Sequence, residues 1–198
     1  LYYVHQNFKG KIKHITSLSH IQEEGVMGVD AFTLRNLEIF NSLSTQGIHG
    51  TLIDTIDNTK TAAGSRMLKS WLRQPLNSED KINDRLNCID ECMEVRFPLT
   101  EIRDQLKETS DLERILAKVA NGKAHPRDVV NLGVSLSILA SFKEMVPQQL
   151  KQLCRLLHEI QDLSDVITKI QTHIKMDPPV NISKGGYVQD GLSEELDE

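Results

Sequence analysis

Residues 110–126 read SDLERILAKVANGKAHP, and this stretch predicts a helix, its end and the start of the next helix. Ser110 with Glu113 three residues later forms a capping box, which satisfies the free N–H groups at a helix start. Gly122 predicts the end, because glycine adopts the left-handed conformation at low cost. Pro126 suits the first position of a following helix, where its missing N–H is not needed. The inward stripe of the first helix is predicted to be Leu112, Ile115, Leu116 and Val119.

Helical spacing continues on both sides of this stretch. Towards the C-terminus it predicts three buried faces, formed by Val129, Leu132, Leu136 and Leu139, by Leu150, Leu153, Leu157 and Ile160, and by Ile167, Ile170 and Ile174. Towards the N-terminus, Asn77 or Ser78 caps a helix that Phe97-Pro98 ends. The predicted inward residues of that helix and of a shorter one after it are Ile82, Leu86, Ile89 and Met93, then Leu99, Ile102 and Leu106.

Strand signals are few. Residues 26–30 form one short candidate, and residues 180–183 and 187–190 form a hairpin candidate around Gly185-Gly186, which can supply the positive φ of a tight turn. Asp177-Pro178-Pro179 ends the helical part, because proline lacks the N–H that a helix needs. The predicted fold class is mainly α: a multi-helix orthogonal bundle with a small β-hairpin or short strand element.

Composition narrows the class of protein. The 198 residues include 23 Lys and Arg against 28 Asp and Glu, which gives a formal net charge of −5. That balance argues against a free-standing nucleic-acid binder, since such domains are usually basic. Three cysteines indicate no disulfide framework. No apolar run approaches the roughly 20 residues of a membrane span, so we expect no membrane association.

Candidate reactive groups have a plainer structural interpretation in each case. Cys88 and Cys92 have a spacing that could offer two thiolates to zinc, but two half-buried side chains beside Ile89 and Met93 are favoured. No Gly-rich phosphate loop precedes Gly122-Lys123, and the serines after Gly133 lack the final glycine of a nucleophile elbow. The scattered histidines, which include His5, His14, His20 and His49, are interpreted as solvated or structural. The sequence therefore predicts no catalytic, cofactor-binding or metal-binding residue.

Two groups of basic residues raise the question of DNA contact. Lys9, Lys11 and Lys13 alternate beside Phe8, and a charged linker is favoured over an arm that contacts phosphates. Arg66, Lys69 and Arg73 follow helical spacing around Trp71, and a solvated or salt-bridged face is favoured over a DNA-facing one.

Two blocks of sequence carry the strongest signal. In residues 30–38, Asp30 caps an amphipathic helix that contains Leu34 and Leu37 and leads to Phe40. In residues 52–76, Thr61 caps a helix, Gly64 leaves room for another backbone, Trp71 buries a large ring and Pro75 ends the helix. If that ring is fully buried, Trp71→Ala costs about 3–5 kcal/mol. The candidate packing residues are Leu37, Leu68, Trp71, Leu86, Ile89, Leu112, Ile115, Leu132 and Leu136.

These blocks resemble the core domain of the MutS family of DNA mismatch-repair proteins. The resemblance covers roughly residues 15–198, and residues 1–14 resemble the last helix of the preceding connector domain. Further matches follow in the order of the family: Arg85-Leu86, Asp111-Leu112-Glu113-Arg114, Pro126-Arg127-Asp128, Asp177-Pro178-Pro179, Gly185-Gly186-Tyr187-Val188, Gly191 and Leu196-Asp197.

The resemblance implies a mechanical role for this chain. It would be the first segment of the core, ending at the start of the lever helix at Leu196-Asp197-Glu198, between an ATPase and the domains that grip mismatched DNA. The family's full-length proteins imply ATP and Mg as cofactors, mismatched duplex DNA as partner, a homodimer, and a cytoplasmic, nucleoid-associated location in a bacterium. The chain itself is expected to be no enzyme and to bind little or no DNA. The alternative is a helical protein-interaction scaffold unrelated to DNA repair.

Overall fold

The computed structural model describes residues 25–96, 98–180, 183 and 185–192. This part of the chain is mainly helical, as the sequence predicts. Its helices are α1 (Ala31–Asn36), α2 (Leu52–Ile56), α3 (Ala62–Arg73), α4 (Glu79–Glu94), α5 (Leu99–Lys107), α6 (Leu112–Ala120), α7 (Pro126–Met145), α8 (Lys151–His158) and α9 (Ser164–His173). None of these described helices is long and apolar enough to cross a membrane. The basic residues of the N-terminal stretch, His5, His14, His20, Phe97 and residues 193–198 lie outside the described residues.

Helix α7 is the centre of the helical body, since α6, α8 and α9 all pack against it. It begins at Pro126 as predicted, and Gly122 ends the preceding segment with φ +63°. The residues that α7 buries most completely are Val130, Gly133, Ser135 and Phe142, whereas the predicted Val129, Leu132, Leu136 and Leu139 are only partly buried. The reason is that neighbours contact α7 on several sides, so no single stripe decides its burial.

A compact apolar cluster joins α4, α5 and α8. Val146 and Leu150 form its centre, and Leu150 is fully buried. The partly buried side chains around them are Cys92, Val95, Ile102, Leu153, Cys154 and Leu157. Leu153 and Leu157 are therefore confirmed as inward residues of α8, and Leu150, the residue just before the helix, packs with them as predicted.

The region that contains α1 and α2 is held by backbone hydrogen bonds across a loop. The amides of Leu52 and Ile53 donate to the carbonyls of Glu38 and Ile39, at 3.2 and 3.1 Å. Thr51 caps α2, and both Thr51 and Ile53 are 1% exposed. The first sequence block is thus folded back onto the start of the second.

The predicted strand element is not confirmed. The described residues form two isolated antiparallel bridges, Val26 with Leu76 and Ile174 with Val188, and no sheet. Val188 thus pairs with Ile174 at the end of α9. The hairpin partner that the sequence predicts for it includes residues 181 and 182, which lie outside the described residues. The amide of Lys175 donates to the Tyr187 carbonyl at 3.0 Å, and the amide of Gln189 donates to the His173 carbonyl at 2.9 Å. Gly185 and Gly186 both have positive φ, the conformation that the sequence predicts for these glycines.

Several predicted packing residues are exposed instead. On α4 the stripe of Ile82, Leu86, Ile89 and Met93 is 39–70% exposed, because α4 packs on α8 through its opposite face at Cys92 and Val95. Exposure also contradicts the predicted burial of Leu37, Trp71, Leu99, Leu116 and Val119. Ile115 is buried as predicted, and among the residues of α6 it is the buried one.

Candidate functional site

Residues of the matched sequence blocks form polar junctions that join neighbouring helices. At the first junction Arg66 of α3 forms a bidentate ion pair with Asp111, with Nη1–Oδ2 and Nη2–Oδ1 distances of 2.8 and 2.9 Å. Its Nη2 also donates to Glu113 Oε2 at 2.5 Å. Fork-shaped pairing of this kind fixes direction as well as distance. Residues 45 apart in sequence are thereby joined, and the salt-bridged interpretation of Arg66 is confirmed.

The start of α6 differs from the prediction. Asp111, not Ser110, is the N-cap, and its Oδ1 accepts a hydrogen bond from the Arg114 amide at 3.4 Å. Ser110 instead donates its amide to Ser135 Oγ on α7 at 2.9 Å. The predicted capping box is therefore wrong, because Ser110 is needed for a contact with another helix. Asp111 therefore has two roles: it caps α6, and its carboxylate accepts the hydrogen bonds of the Arg66 guanidinium.

This junction makes the fold sensitive to acid. The Arg66 guanidinium holds the pKa of Asp111 below its ordinary value of 3.8, against a desolvation effect in the opposite direction. A lowered pKa means that the ionised form stabilises the fold; this contribution is present above the unfolded-state pKa and disappears as pH falls through the folded-state pKa. We expect Asp111→Asn to lower the melting temperature at pH 7 and to differ less from the unsubstituted chain below about pH 4.

Melting curves from pH 7 to pH 3 measure this effect. Asp84→Asn, at an exposed position of α4, is the matched control and is expected to change little across the range. A difference for Asp111→Asn that stays constant over the whole range would contradict the role assigned to the Asp111 charge.

A second junction surrounds Asp57, just before α3. Its Oδ1 accepts hydrogen bonds from the Thr59 amide and hydroxyl at 3.1 and 2.6 Å, and its Oδ2 accepts one from the Ser65 hydroxyl at 2.7 Å. The Thr59 and Ser65 hydrogen bonds lower the pKa of Asp57. Thr61 caps α3 as predicted, accepting from the Gly64 amide at 2.9 Å. A Cβ at Gly64 would meet the side chains of Thr59 and Thr61, so the prediction of a neighbouring backbone there is wrong.

Trp71 is paired with a cation rather than buried. The Arg85 guanidinium lies 3.7 Å from the centroid of the Trp71 ring, which joins α3 to α4. The residue remains 44% exposed, so the prediction of a buried ring is wrong. On the same helix Arg73 lies over the Phe40 ring at 4.6 Å. The stacked arginine thus covers one face of the indole.

Partial exposure changes the expected cost of Trp71→Ala. We expect a loss of about 1–2 kcal/mol of unfolding free energy, because only part of the ring is removed from water. Trp71→Phe, which keeps a ring face for Arg85, is expected to lose less. Chemical unfolding measures both variants, and a loss above about 3 kcal/mol for alanine would show that the ring is buried.

A third junction joins α6 and α7 to the segment around residue 180. His125 is the N-cap of α7: its Nδ1 accepts the Arg127 amide at 3.1 Å, and its Nε2 contacts the Val180 carbonyl at 2.8 Å. Asp128 accepts the His125 amide at 3.0 Å and the Lys118 ammonium at 2.6 Å, and the Lys118 contact is the main reason that its pKa is lowered. The sequence interpretation missed this capping box. Its signal was an aspartate three residues after a cap that happens to be histidine.

The predicted reactive groups do not converge in the part of the chain that is described. No group of three His, Cys, Asp or Glu side chains there is placed to hold a metal ion. Cys88 and Cys92 are free thiols, and burial is the main cause that raises the pKa of Cys92. Ser135 donates its hydroxyl to the Asn131 carbonyl at 2.8 Å, so its oxygen is engaged in helix packing. His49 is largely exposed and pairs with Asp54 at 3.1 Å.

Comparison with known proteins places the chain among a defined group. The family model described as MutS domain III matches residues 32–197. The DNA mismatch repair protein MutS of Flavobacterium johnsoniae is 35% identical over 199 residues, which is 100% of this chain and 23% of that protein. The proteins of the same name from Christiangramia forsetii and Bacteroides fragilis are each 37% identical over the same shares. The chain thus spans about a quarter of the length of these relatives.

Proposed function

The chain belongs to the MutS domain III family, and on this premise we propose that it is the structural core segment of a DNA mismatch-repair protein. In this role it links an ATPase domain to the domains that grip mismatched DNA. The observation that carries the proposal is the set of polar junctions, because the matched blocks are used to tie one helix to the next. Residues 15–198 would be the first segment of the core, up to the start of the lever helix, and residues 1–14 the tail of a connector domain.

The junctions suit the transmission of movement. Packed helices change between discrete arrangements rather than deforming continuously. Arg66 ties α3 to the cap of α6, and His125 ties the cap of α7 to residue 180. A displacement of α3 would therefore be transmitted to α6 through the bidentate pair between Arg66 and Asp111. A flexible loop between the two helices would instead absorb the movement.

The activities of the full-length protein are part of the same proposal. It would bind ATP with Mg, bind mismatched duplex DNA, act as a homodimer and work in the cytoplasm of a bacterium at the nucleoid. The helical-scaffold alternative is not favoured by the family match. The 198-residue chain alone is expected to hydrolyse no ATP and to bind DNA weakly, without preference for mismatched duplex. A mismatch-selective gel shift at physiological salt would contradict that expectation.

The sharpest test measures coupling in the full-length protein. We expect Arg66→Gln to reduce the stimulation of ATP hydrolysis by mismatched DNA by about twofold to thirtyfold. This is the range by which mutations between two coupled sites change the coupling. ATP affinity and DNA affinity, measured separately, should each stay nearly unchanged, since Arg66 would touch neither ligand.

Arg155→Gln, at an exposed position of α8, is the matched control for removal of one arginine charge. It is expected to leave the stimulation intact. Unchanged coupling in a folded Arg66→Gln protein would remove the Arg66 junction from the transmission route. Loss of ATP binding itself would show a role in nucleotide binding instead.

A further inference from the structure

The outward face of α4 carries an apolar stripe that is left bare in the described part of the chain. Ile82, Leu86, Ile89 and Met93 recur at spacings of four, three and four, and each is 39–70% exposed. This spacing is the seam pattern through which two helices pack side by side. Contiguous apolar surface of this kind marks an interaction site more often than a solvated face.

The stripe is separate from the packing that holds α4 in the fold. Cys92 and Val95 join the apolar cluster around Leu150, and Glu91 Oε2 accepts the Gln152 amide at 3.2 Å. At 100° per residue Cys92 lies about 90° from the centre of the stripe, and Glu91 and Val95 lie about 150° or more from it. A partner could therefore cover the stripe without disturbing the contact between α4 and α8.

The charges beside the stripe define the chemistry of that partner. Glu79, Asp90 and Glu94 are exposed and follow one edge of the stripe on the helix. On the other edge Arg85 is already engaged over Trp71. Helix α4 as a whole has six acidic residues, namely Glu79, Asp80, Asp84, Asp90, Glu91 and Glu94, and two basic ones, Lys81 and Arg85. A complementary helix would present an apolar stripe with lysines or arginines along one edge.

These charges argue against two other occupants. A second copy packed through the same stripe would bring acidic residues of the two α4 helices close together, and like charges in juxtaposition are costly. An anionic lipid surface would repel the same acidic edge. By contrast, the relatives are about four times longer than this chain, so a protein of that kind offers many helices in the same polypeptide.

We propose that the α4 stripe docks an amphipathic helix with a basic edge from the part of the full-length polypeptide outside residues 1–198. This inference rests on the proposed function, since it requires the chain to be one segment of a longer repair protein. The docked helix would fix α4 from outside, while α8 fixes it from inside.

Cysteine labelling of the full-length protein tests whether the stripe is covered. Ile82→Cys lies on the stripe, and Asp84→Cys, at an exposed position two residues away and outside the stripe, is the matched control. With a maleimide and site-resolved mass spectrometry, we expect the cysteine at position 82 to react at least about tenfold more slowly, because a covered side chain reacts only through local opening. Equal rates at the two positions would overturn the proposal.

Cross-linking of the unsubstituted full-length protein identifies the occupant. A carbodiimide joins carboxylates to lysine amines, so Asp90 or Glu94 is expected to link to a lysine outside residues 1–198. A mixture of light and heavy isotope-labelled protein separates links within one polypeptide from links between copies. Links only between copies, or only to lysines within residues 1–198, would overturn the proposal. Neither measurement uses ATP or DNA, so its outcome is independent of the Arg66 coupling test.

Discussion

Leu150→Ala is expected to lower the free energy of unfolding by about 2–5 kcal/mol, the usual cost of deleting a fully buried leucine side chain. Leu150 is 0% exposed and lies at the centre of the cluster that joins α4, α5 and α8. Leu150→Ala removes an isopropyl group and leaves a cavity between three helices. Because the loss grows with the volume that the surroundings leave unfilled, we expect it in the upper part of that range.

Urea unfolding measures this loss, with Leu156→Ala as the matched control. Leu156 lies on α8, which begins directly after Leu150, and is 59% exposed, so its truncation should change stability by about 0.5 kcal/mol or less. Equal losses for the two variants would mean that α8 packs through a different face.

Gly133→Ala is expected to destabilise the contact between α7 and α9 by about 1–3 kcal/mol, as overpacking does. A Cβ at position 133 would lie 2.9 Å from Ile170 Cγ2, a closer approach than real Cβ atoms make, so α7 or the Ile170 side chain must shift. Away from such a contact the same change would be favourable, because alanine is about 1 kcal/mol better than glycine within a helix.

The double-mutant cycle with Ile170→Ala separates these two effects. Ile170→Ala removes the Cγ2 atom, so Gly133→Ala in that background is expected to be neutral or stabilising by up to about 1 kcal/mol. A reversal of sign between the two backgrounds assigns the cost to the contact. The same destabilisation in both backgrounds would assign it to something other than Ile170.

Local features of the fold were predictable because their causes are local. Asp30 and Thr61 cap their helices through amides three residues ahead, and Pro126 and Gly122 act through their own backbone preferences. Each of these effects involves only a few neighbouring residues. The order of the sequence blocks likewise sufficed for the resemblance to the MutS family, which the family match confirms.

Burial was predicted less well, because periodicity shows which residues share a face but not what covers that face. The α4 stripe and Trp71 both looked like core, yet α4 turns Cys92 and Val95 inward, and Arg85 covers Trp71. Ser110 was misassigned for a related reason, since its use depends on Ser135 of a helix that begins later in the chain. Such outcomes depend on contacts between residues distant in sequence.

The polar junctions could not be predicted from the sequence for the same reason. Arg66 and Asp111 both belong to matched blocks, but nothing in their spacing of 45 residues indicates that they form a bidentate pair. The bridge between Val188 and Ile174 lay outside the prediction in the same way, because the glycines at 185 and 186 indicate a local backbone conformation but not which segment Val188 pairs with.

The contact between α4 and α8 also has a consequence for the order of folding. Helices α6 to α9 contact neighbours close in sequence, whereas Glu91 and Gln152 are 61 residues apart, so joining α4 to α8 requires closing a long loop against chain entropy. We therefore expect α6 to α9 to assemble first and α4 to join after the rate-limiting step. In stopped-flow experiments Cys92→Ala should then mainly accelerate unfolding and leave the refolding rate nearly unchanged. The packing of α6 to α9 would therefore form early, and the apolar cluster around Leu150 would be completed last, when α4 docks.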